Sequence, residues 1–195
     1  MNNPNQMQQV FGVKKHRATR LHYDLRLGWN YVLKSWAIPE GPSYCPGHKR
    51  DAIEVEDHNR KYLDREGVIP EGMPGAGHTM LWDSGTWIPS PVCWNVGECL
   101  RKGYLRFTLL GQKLKGDWIL VRRPGTYRGR RPVWDLIKEQ DSFARSEHAP
   151  AIVDEEPNSV LSGKSLEQVE RERYEGKKQP KRELTLFDIE EFVSK

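Results

Sequence analysis

The densest polar run in the chain is Lys14-Lys15-His16-Arg17-Ala18-Thr19-Arg20-Leu21-His22-Tyr23-Asp24-Leu25-Arg26-Leu27. Leu21–Leu27 alternates like a strand. A period of two then sets His22, Asp24 and Arg26 on one face and Leu21, Tyr23, Leu25 and Leu27 on the other. An imidazole, a carboxylate and a guanidinium aligned at the mouth of a barrel are costly for structure alone. A second cluster is Glu54-Val55-Glu56-Asp57-His58. There alternation groups Ile53, Val55 and Asp57 on one face and Glu54, Glu56 and His58 on the opposite one. Two histidines and an aspartate can hold a divalent metal and leave positions open for substrate and water. Such mixed imidazole and carboxylate sets suit Mn²⁺, Fe²⁺ or Zn²⁺, and spacing does not separate these. An arginine nearby suits a phosphate, whose oxygens it binds bidentately. A solvated basic strand with a surface Arg–Asp pair, worth little energetically, fits the same pattern. The spacing alone leaves both readings open.

The elements that must position these groups read as mainly β. Leu21–Leu27, Val32–Ile38 and Asp51–Asp57 have strand patterns, with shorter strands expected at Thr79–Trp82, Thr86–Ile88, Tyr104–Leu110 and Trp118–Arg122. Gly, Pro and Asp-Ser-Gly punctuation falls between them. Many short strands with tight turns predict a small closed or nearly closed β-barrel, which removes exposed edges. Val96–Lys102 reads as one short helix. Ser165–Tyr174 has the start of another, with Ser165 as cap and Gln168 at the capping-box position. One or two short flanking helices and a C-terminal extension complete the expected fold.

Of 195 residues, 31 are Lys or Arg and 27 Asp or Glu, a formal charge of +4. That length fits one domain with some tail. Residues 1–140 hold 22 basic and 14 acidic side chains, net +8; residues 141–195 hold 9 and 13, net −4. All seven tryptophans lie in the first part. The expected organisation is therefore a flexible N-terminus over 1–10, a folded domain over 11–141, and a charged linker and tail over 142–195. Three cysteines without a CxxC spacing exclude a disulfide framework and fit reduced thiols in a cytoplasmic protein. Nothing approaches the roughly 18 apolar residues of a membrane span, and Met1–Gln9 is polar, unlike a signal peptide. The +8 and the Arg122–Arg123 and Arg128–Arg131 runs favour a nucleic-acid partner. Lys14, Arg17 and Arg20 are candidate phosphate contacts, and Trp29 a candidate base-stacking surface.

In order along the chain, KKHRATRLHYDLRL, LKSWAIPEGPS, VEDHNRKY, EGVIPEGMPGAG, LWDSGTW, GQKLKGDWILVR and WDLIK resemble the 3′-phosphoesterase domain of bacterial DNA ligase D. The resemblance runs from about Phe11 to Asp141. It implies a small β-barrel with its site in a concave face and a Mn²⁺-dependent activity. That activity trims a 3′-terminal ribonucleoside and then removes the 3′-phosphate, leaving a 3′-hydroxyl on DNA or RNA ends. Carried over by position, the metal ligands are His16, Asp24 and His58. His22, Arg26, Arg50 and Tyr62 contact phosphate or act as general acid–base groups, and Glu56 supports the ligands from behind by orienting a histidine or arginine. Glu40 stands where the family usually has lysine, an expected loss of a cation on the phosphate path. The chain holds no KxDG-type nucleotidyl-lysine motif, so ligation and gap filling need partners: a separate ligase D-type enzyme or polymerase, and Ku. Residues 183–187 (ELTLF) resemble a sliding-clamp docking peptide, and an ordinary apolar patch is the competing reading. Rival functions are a binding module that grips 3′ ends without hydrolysis, and a hydrolase of small phosphate esters.

Overall fold

The structure, a computed structural model, describes residues 9–176. Most of the expected flexible N-terminus, the basic run Lys177–Arg182 and the clamp-like segment 183–187 lie outside the described residues.

Among the described residues, nine antiparallel strands form one sheet. They are β1 (Val10–Arg17), β2 (Leu21–Trp29), β3 (Val32–Ile38), β4 (Arg50–Asn59), β5 (Gly67–Ile69), β6 (Gly77–Pro89), β7 (Tyr104–Gly111), β8 (Lys115–Tyr127) and β9 (Arg131–Lys138). The order β1-β2-β3-β4-β9-β8-β7-β6 closes through a β1–β6 pairing into an eight-stranded barrel, with β5 attached to β6. Closure satisfies the ladder that an open sheet of this size leaves unpaired. The helices are α1 (Val96–Lys102), α2 (Ile152–Glu155) and α3 (Leu166–Gly176).

Alternation does most of the sorting. Phe11, Val13, Tyr23, Leu25, Leu27, Trp36 and Ile38 are buried together with Trp82, Trp87, Trp118 and Trp134. The rings meet edge to face, Trp36 on Trp134 at 5.9 Å and Tyr23 on Trp82 at 5.3 Å. Each such pair adds about 0.5–1.5 kcal/mol beyond the area it buries.

The structure adds β1, β5 and β9 to the expected strands, and it departs from the expected elements in two further places. Thr79–Trp82 and Thr86–Ile88 belong to one strand, β6, and Asp83-Ser84-Gly85 lies within it. Asp83 is fully buried, and its carboxylate accepts from the backbone N–H groups of Lys113 and Leu114 at 2.9 and 2.8 Å. It pins the β7–β8 turn. Beyond Asp141 the chain folds back onto the barrel. Ile152, Leu166 and Val169 enter the core. The Glu156 carbonyl accepts from the Trp82 indole at 2.6 Å, and the Val160 N–H donates to the Leu81 carbonyl at 2.9 Å. The capping box forms as read: Ser165 N–H donates to Gln168 Oε1 at 2.8 Å, and Gln168 N–H to Ser165 Oγ at 3.3 Å. The expected boundary at 141 thus falls short of the packed core, because two apolar residues on α3 and one on α2 find a place that composition did not reveal.

Candidate active site

Register brings the polar run together. In the β1–β2 ladder His16 faces His22, Lys14 faces Asp24 and Gly12 faces Arg26. Cross-strand partners share a face, so these side chains line the outer face of the barrel behind Phe11, Val13, Tyr23, Leu25 and Leu27. Asp24 sits at the centre. His16 Nδ1 is 3.6 Å from Asp24 Oδ2, His22 Nε2 is 3.4 Å from Oδ1, and an Arg26 Nη is 3.7 Å from Oδ2. The two imidazoles are 4.7 Å apart. His16, Asp24 and Arg26 are buried. Burial alone raises a carboxyl pKa. Here the two imidazoles and the Arg26 charge overcome that and hold Asp24 well below the usual carboxylate range.

The hydrogen bonds orient the rings. His22 Nδ1 lies 3.0 Å from the Arg20 carbonyl, which can only accept, so Nδ1 carries a proton and Nε2 is the ring nitrogen turned toward Asp24. Burial lowers the His22 pKa, and the Asp24 carboxylate outweighs that and raises it. His16 Nε2 is buried without a hydrogen-bond partner. Among the described residues, His16, His22 and Asp24 are the group whose ligand atoms all fall within 4.8 Å of one another. This differs by one imidazole from the expected set His16, Asp24 and His58, in which His22 served the phosphate instead.

His58 stands across β3 from that cluster. The β3–β4 ladder shifts register between Leu33 and Ser35, pairing Leu33 with His58 and Ser35 with Val55. The extra residue on β4 turns His58 to the face of Val55, opposite Glu54, so simple alternation misassigned it. Ser35 Oγ donates to the Leu33 carbonyl at 2.9 Å and accepts from His58 Nδ1 at 3.1 Å, which fixes the orientation of the ring. Burial, and next the Arg26 charge, lower the His58 pKa below its ordinary value. Ser35 carried no signal in the sequence.

Other expected residues fall differently. Lys14 is buried; its ammonium donates to the carbonyls of Leu63, at 3.3 Å, and of Arg65, so it is not a phosphate contact. It anchors the segment that follows Tyr62, and Leu63 packs on Gly12, where a Cβ would meet Leu63 Cδ1 at 2.6 Å. Tyr62, in a short 3₁₀ turn, carries the Lys61 and Arg65 cations at 5.4 and 4.8 Å from its ring centre. The Glu56 carboxylate is 80% exposed and pairs with Arg131 at 3.3 Å, so it does not orient a site imidazole by contact. Arg50 pairs with Glu40. That carboxylate occupies a guanidinium expected to serve phosphate. Arg17 is taken by Glu170 at 2.8 Å and Glu167 at 3.0 Å on α3. Trp29 packs against the core beside Gly97 rather than standing free to stack. Arg20 is exposed in the β1–β2 turn.

The arrangement can hold one cation between three donors, with a buried guanidinium beside it for an anionic oxygen. Among the described residues no helix is long and apolar enough to cross a membrane.

Comparison with known proteins identifies the family of the chain. Residues 14–122 match the model of the DNA ligase D 3′-phosphoesterase domain. The chain is 47% identical over 154 residues to the multifunctional non-homologous end joining protein LigD of Pseudomonas aeruginosa, covering 79% of this chain and 18% of that protein. To the protein of the same name in Mycolicibacterium smegmatis it is 33% identical over 150 residues, 74% of this chain and 19% of the relative. A LigD repair protein of Mycobacterium tuberculosis H37Rv is 36% identical over 116 residues, 60% of this chain and 15% of its own length. The chain therefore spans less than a fifth of these relatives. A matching model over more than half the chain, laid on a closed barrel whose outer face gathers His16, His22, Asp24 and Arg26, places the protein in the DNA ligase D 3′-phosphoesterase domain family.

Proposed function

We propose that the protein is a metal-dependent phosphoesterase that clears 3′-phosphates and 3′-ribonucleosides from DNA or RNA ends, leaving a 3′-hydroxyl, in non-homologous end joining. The observation that carries this reading is the cluster of His16, His22 and Asp24 with an unpartnered buried nitrogen on His16. Two imidazole nitrogens and one ionised carboxylate are a donor set that fits a divalent ion such as Mn²⁺ or Zn²⁺. When bound, such an ion supplies Lewis-acid polarisation of a phosphoryl oxygen.

The chain's own residues do the rest. Arg26, buried beside Asp24, sets a fixed positive charge where negative charge gathers on the ester oxygens, and a low-dielectric surrounding strengthens it. His58, held in orientation through Ser35, presents its imidazole for hydrogen bonding or proton exchange with an ester or leaving-group oxygen. Lys14 and Leu63 hold the Tyr62 segment against this face. The product end would pass to a separate polymerase and ligase, with Ku as a further partner.

The test is direct. With Mn²⁺, an oligonucleotide ending in 3′-phosphate should release inorganic phosphate, and one ending in a 3′-ribonucleoside should lose it. Absence of turnover with Mn²⁺, Zn²⁺, Co²⁺ and Mg²⁺ alike would overturn the reading and leave a binding module.

A further inference from the structure

We infer that the outer part of the β8–β9 hairpin, Arg122–Arg131, is a nucleic-acid arm that grips the strand upstream of its reacting 3′ end. This rests on the function proposed above and extends it to a second contact surface.

The arm outruns the barrel wall. β9 pairs with β4 only from Val133 to Leu136, whereas β8 and β9, after a bulge between Arg122 and Thr126, pair out to Tyr127 opposite Arg131. A two-stranded ribbon leaving a barrel gains little stability for itself. Its composition is one-sided: residues 122–131 are exposed and contain five arginines and no acid. The charges that face the barrel are already paired. Arg123 pairs with Asp51 at 2.6 Å and Asp135 at 3.3 Å, and Arg131 pairs with Glu56 at 3.3 Å. Arg122 lies over the Trp134 ring and donates to the Arg101 carbonyl at 2.9 Å. At the tip the pattern stops. Arg128 lies over the Tyr127 ring at 5.2 Å, and among the described residues neither Arg128 nor Arg130 has an acidic partner. Tyr127 is itself 42% exposed. Two uncompensated guanidiniums beside an exposed aromatic ring suit phosphates and bases of one strand.

Position says which strand. The Arg131–Glu56 pair moors the arm beside the half of β4 that carries His58, two residues or about 7 Å further along the strand. In the sheet order β9 is three strands from β2, so at about 4.8 Å per strand the arm stands roughly 14 Å across the sheet from Asp24. A duplex strand advances 3.4 Å per phosphate, so a chain whose 3′ end lies at the site reaches the arm after about four nucleotides. An acidic protein partner fits the charge but not this alignment with the site.

The experiment uses the full chain and its Arg128→Ala/Arg130→Ala variant on 3′-phosphate strands of three and of twelve nucleotides. The expected result is a KM for the longer strand raised about tenfold, with kcat and the KM for the shorter strand unchanged. In binding titrations of a twelve-nucleotide 3′-hydroxyl strand, which needs no turnover, the logarithmic salt slope should drop by about 1.4 to 1.8, two phosphate contacts. Arg128→Lys/Arg130→Lys should restore most of that slope. Equal KM changes at both lengths, or an unchanged salt slope, would overturn the arm. Loss of turnover in every protein with a reduced salt slope would instead overturn the proposed hydrolysis and leave the arm standing.

Discussion

Two buried ionisable clusters in this barrel follow opposite rules. Around Lys138 every donor is used. The side chain is fully buried, and its ammonium donates to the carbonyls of Asp117 at 3.0 Å and Glu139 at 3.2 Å and to Asp141 Oδ2 at 2.5 Å. Asp141 also accepts from the N–H groups of Asp117 and Phe143 at 2.7 and 2.8 Å. Around Asp24 the nearest cationic or imidazole atoms stand at 3.4 to 3.7 Å, and His16 Nε2 and Arg26 Nε have no partner. An ammonium has three donors, and Lys138 meets three acceptors, so that cluster is a fastener. Polar groups buried without partners are unusual in a folded protein and signal a guest. Burial of charge alone does not mark a site, and neither does a single unpartnered atom such as Trp36 Nε1 or Ser90 Oγ; unspent capacity on several groups gathered around one carboxylate does.

The largest expected effect sets the two against each other. Asp24→Asn should lower hydrolysis of a 3′-phosphate about 10³-fold, the scale of several kcal/mol of lost charge stabilisation. Asp141→Ala should leave turnover per folded molecule intact and cost about 3 kcal/mol in urea unfolding, because Lys138 then keeps a buried charge without its anion. The opposite pattern in either variant would break the comparison.

A second effect concerns Lys14, whose pKa burial pushes down to about 8, with the Arg26 charge adding to the fall. Below about pH 8 the ammonium is charged in both states and its desolvation counts against folding. Between about pH 8 and 10.5 the folded protein releases a proton that the unfolded chain keeps, so stability gains with rising pH, by about 3 kcal/mol across the window. In Lys14→Met that gain should disappear. Urea melts at pH 7.5 and pH 10 read it as a difference between variant and wild type, and an equal rise in both would show that Lys14 is not the group responsible.

The smallest effect sharpens which imidazoles serve the ion. Mn²⁺ at about a hundred times its dissociation constant should stabilise the native state by about 2.7 kcal/mol. His58→Ala should keep this shift and His22→Ala should lose it. The reverse would restore the set of His16, Asp24 and His58.

Much of this site was legible in one line of sequence. Period-two spacing sufficed to align His22, Asp24 and Arg26, since β2 runs without a bulge and its apolar face had only the core to meet. His58 was misplaced by the same rule because one extra residue in β4 reverses the parity of everything after it. Lys14 read as a surface cation because the carbonyls that bury it, Leu63 and Arg65, come from a segment some fifty residues later. Leu166 and Val169 stood three apart behind a capping box, a helix signal that said nothing about the barrel wall beneath it.

The local code therefore carried the strands, the helix starts and the kinds of groups on offer, all of which depend on neighbours a few residues away. Which imidazole joins Asp24, which lysine is sealed in, which arginines are already spoken for by Glu40, Glu167 and Glu170, and which stay unpaired at the tip of the hairpin were settled by closure of the barrel and the folding back of residues 142–176. Those outcomes depend on register, burial and charge between segments remote in the chain, and such pairings exist only once the ladder from β1 to β6 has shut.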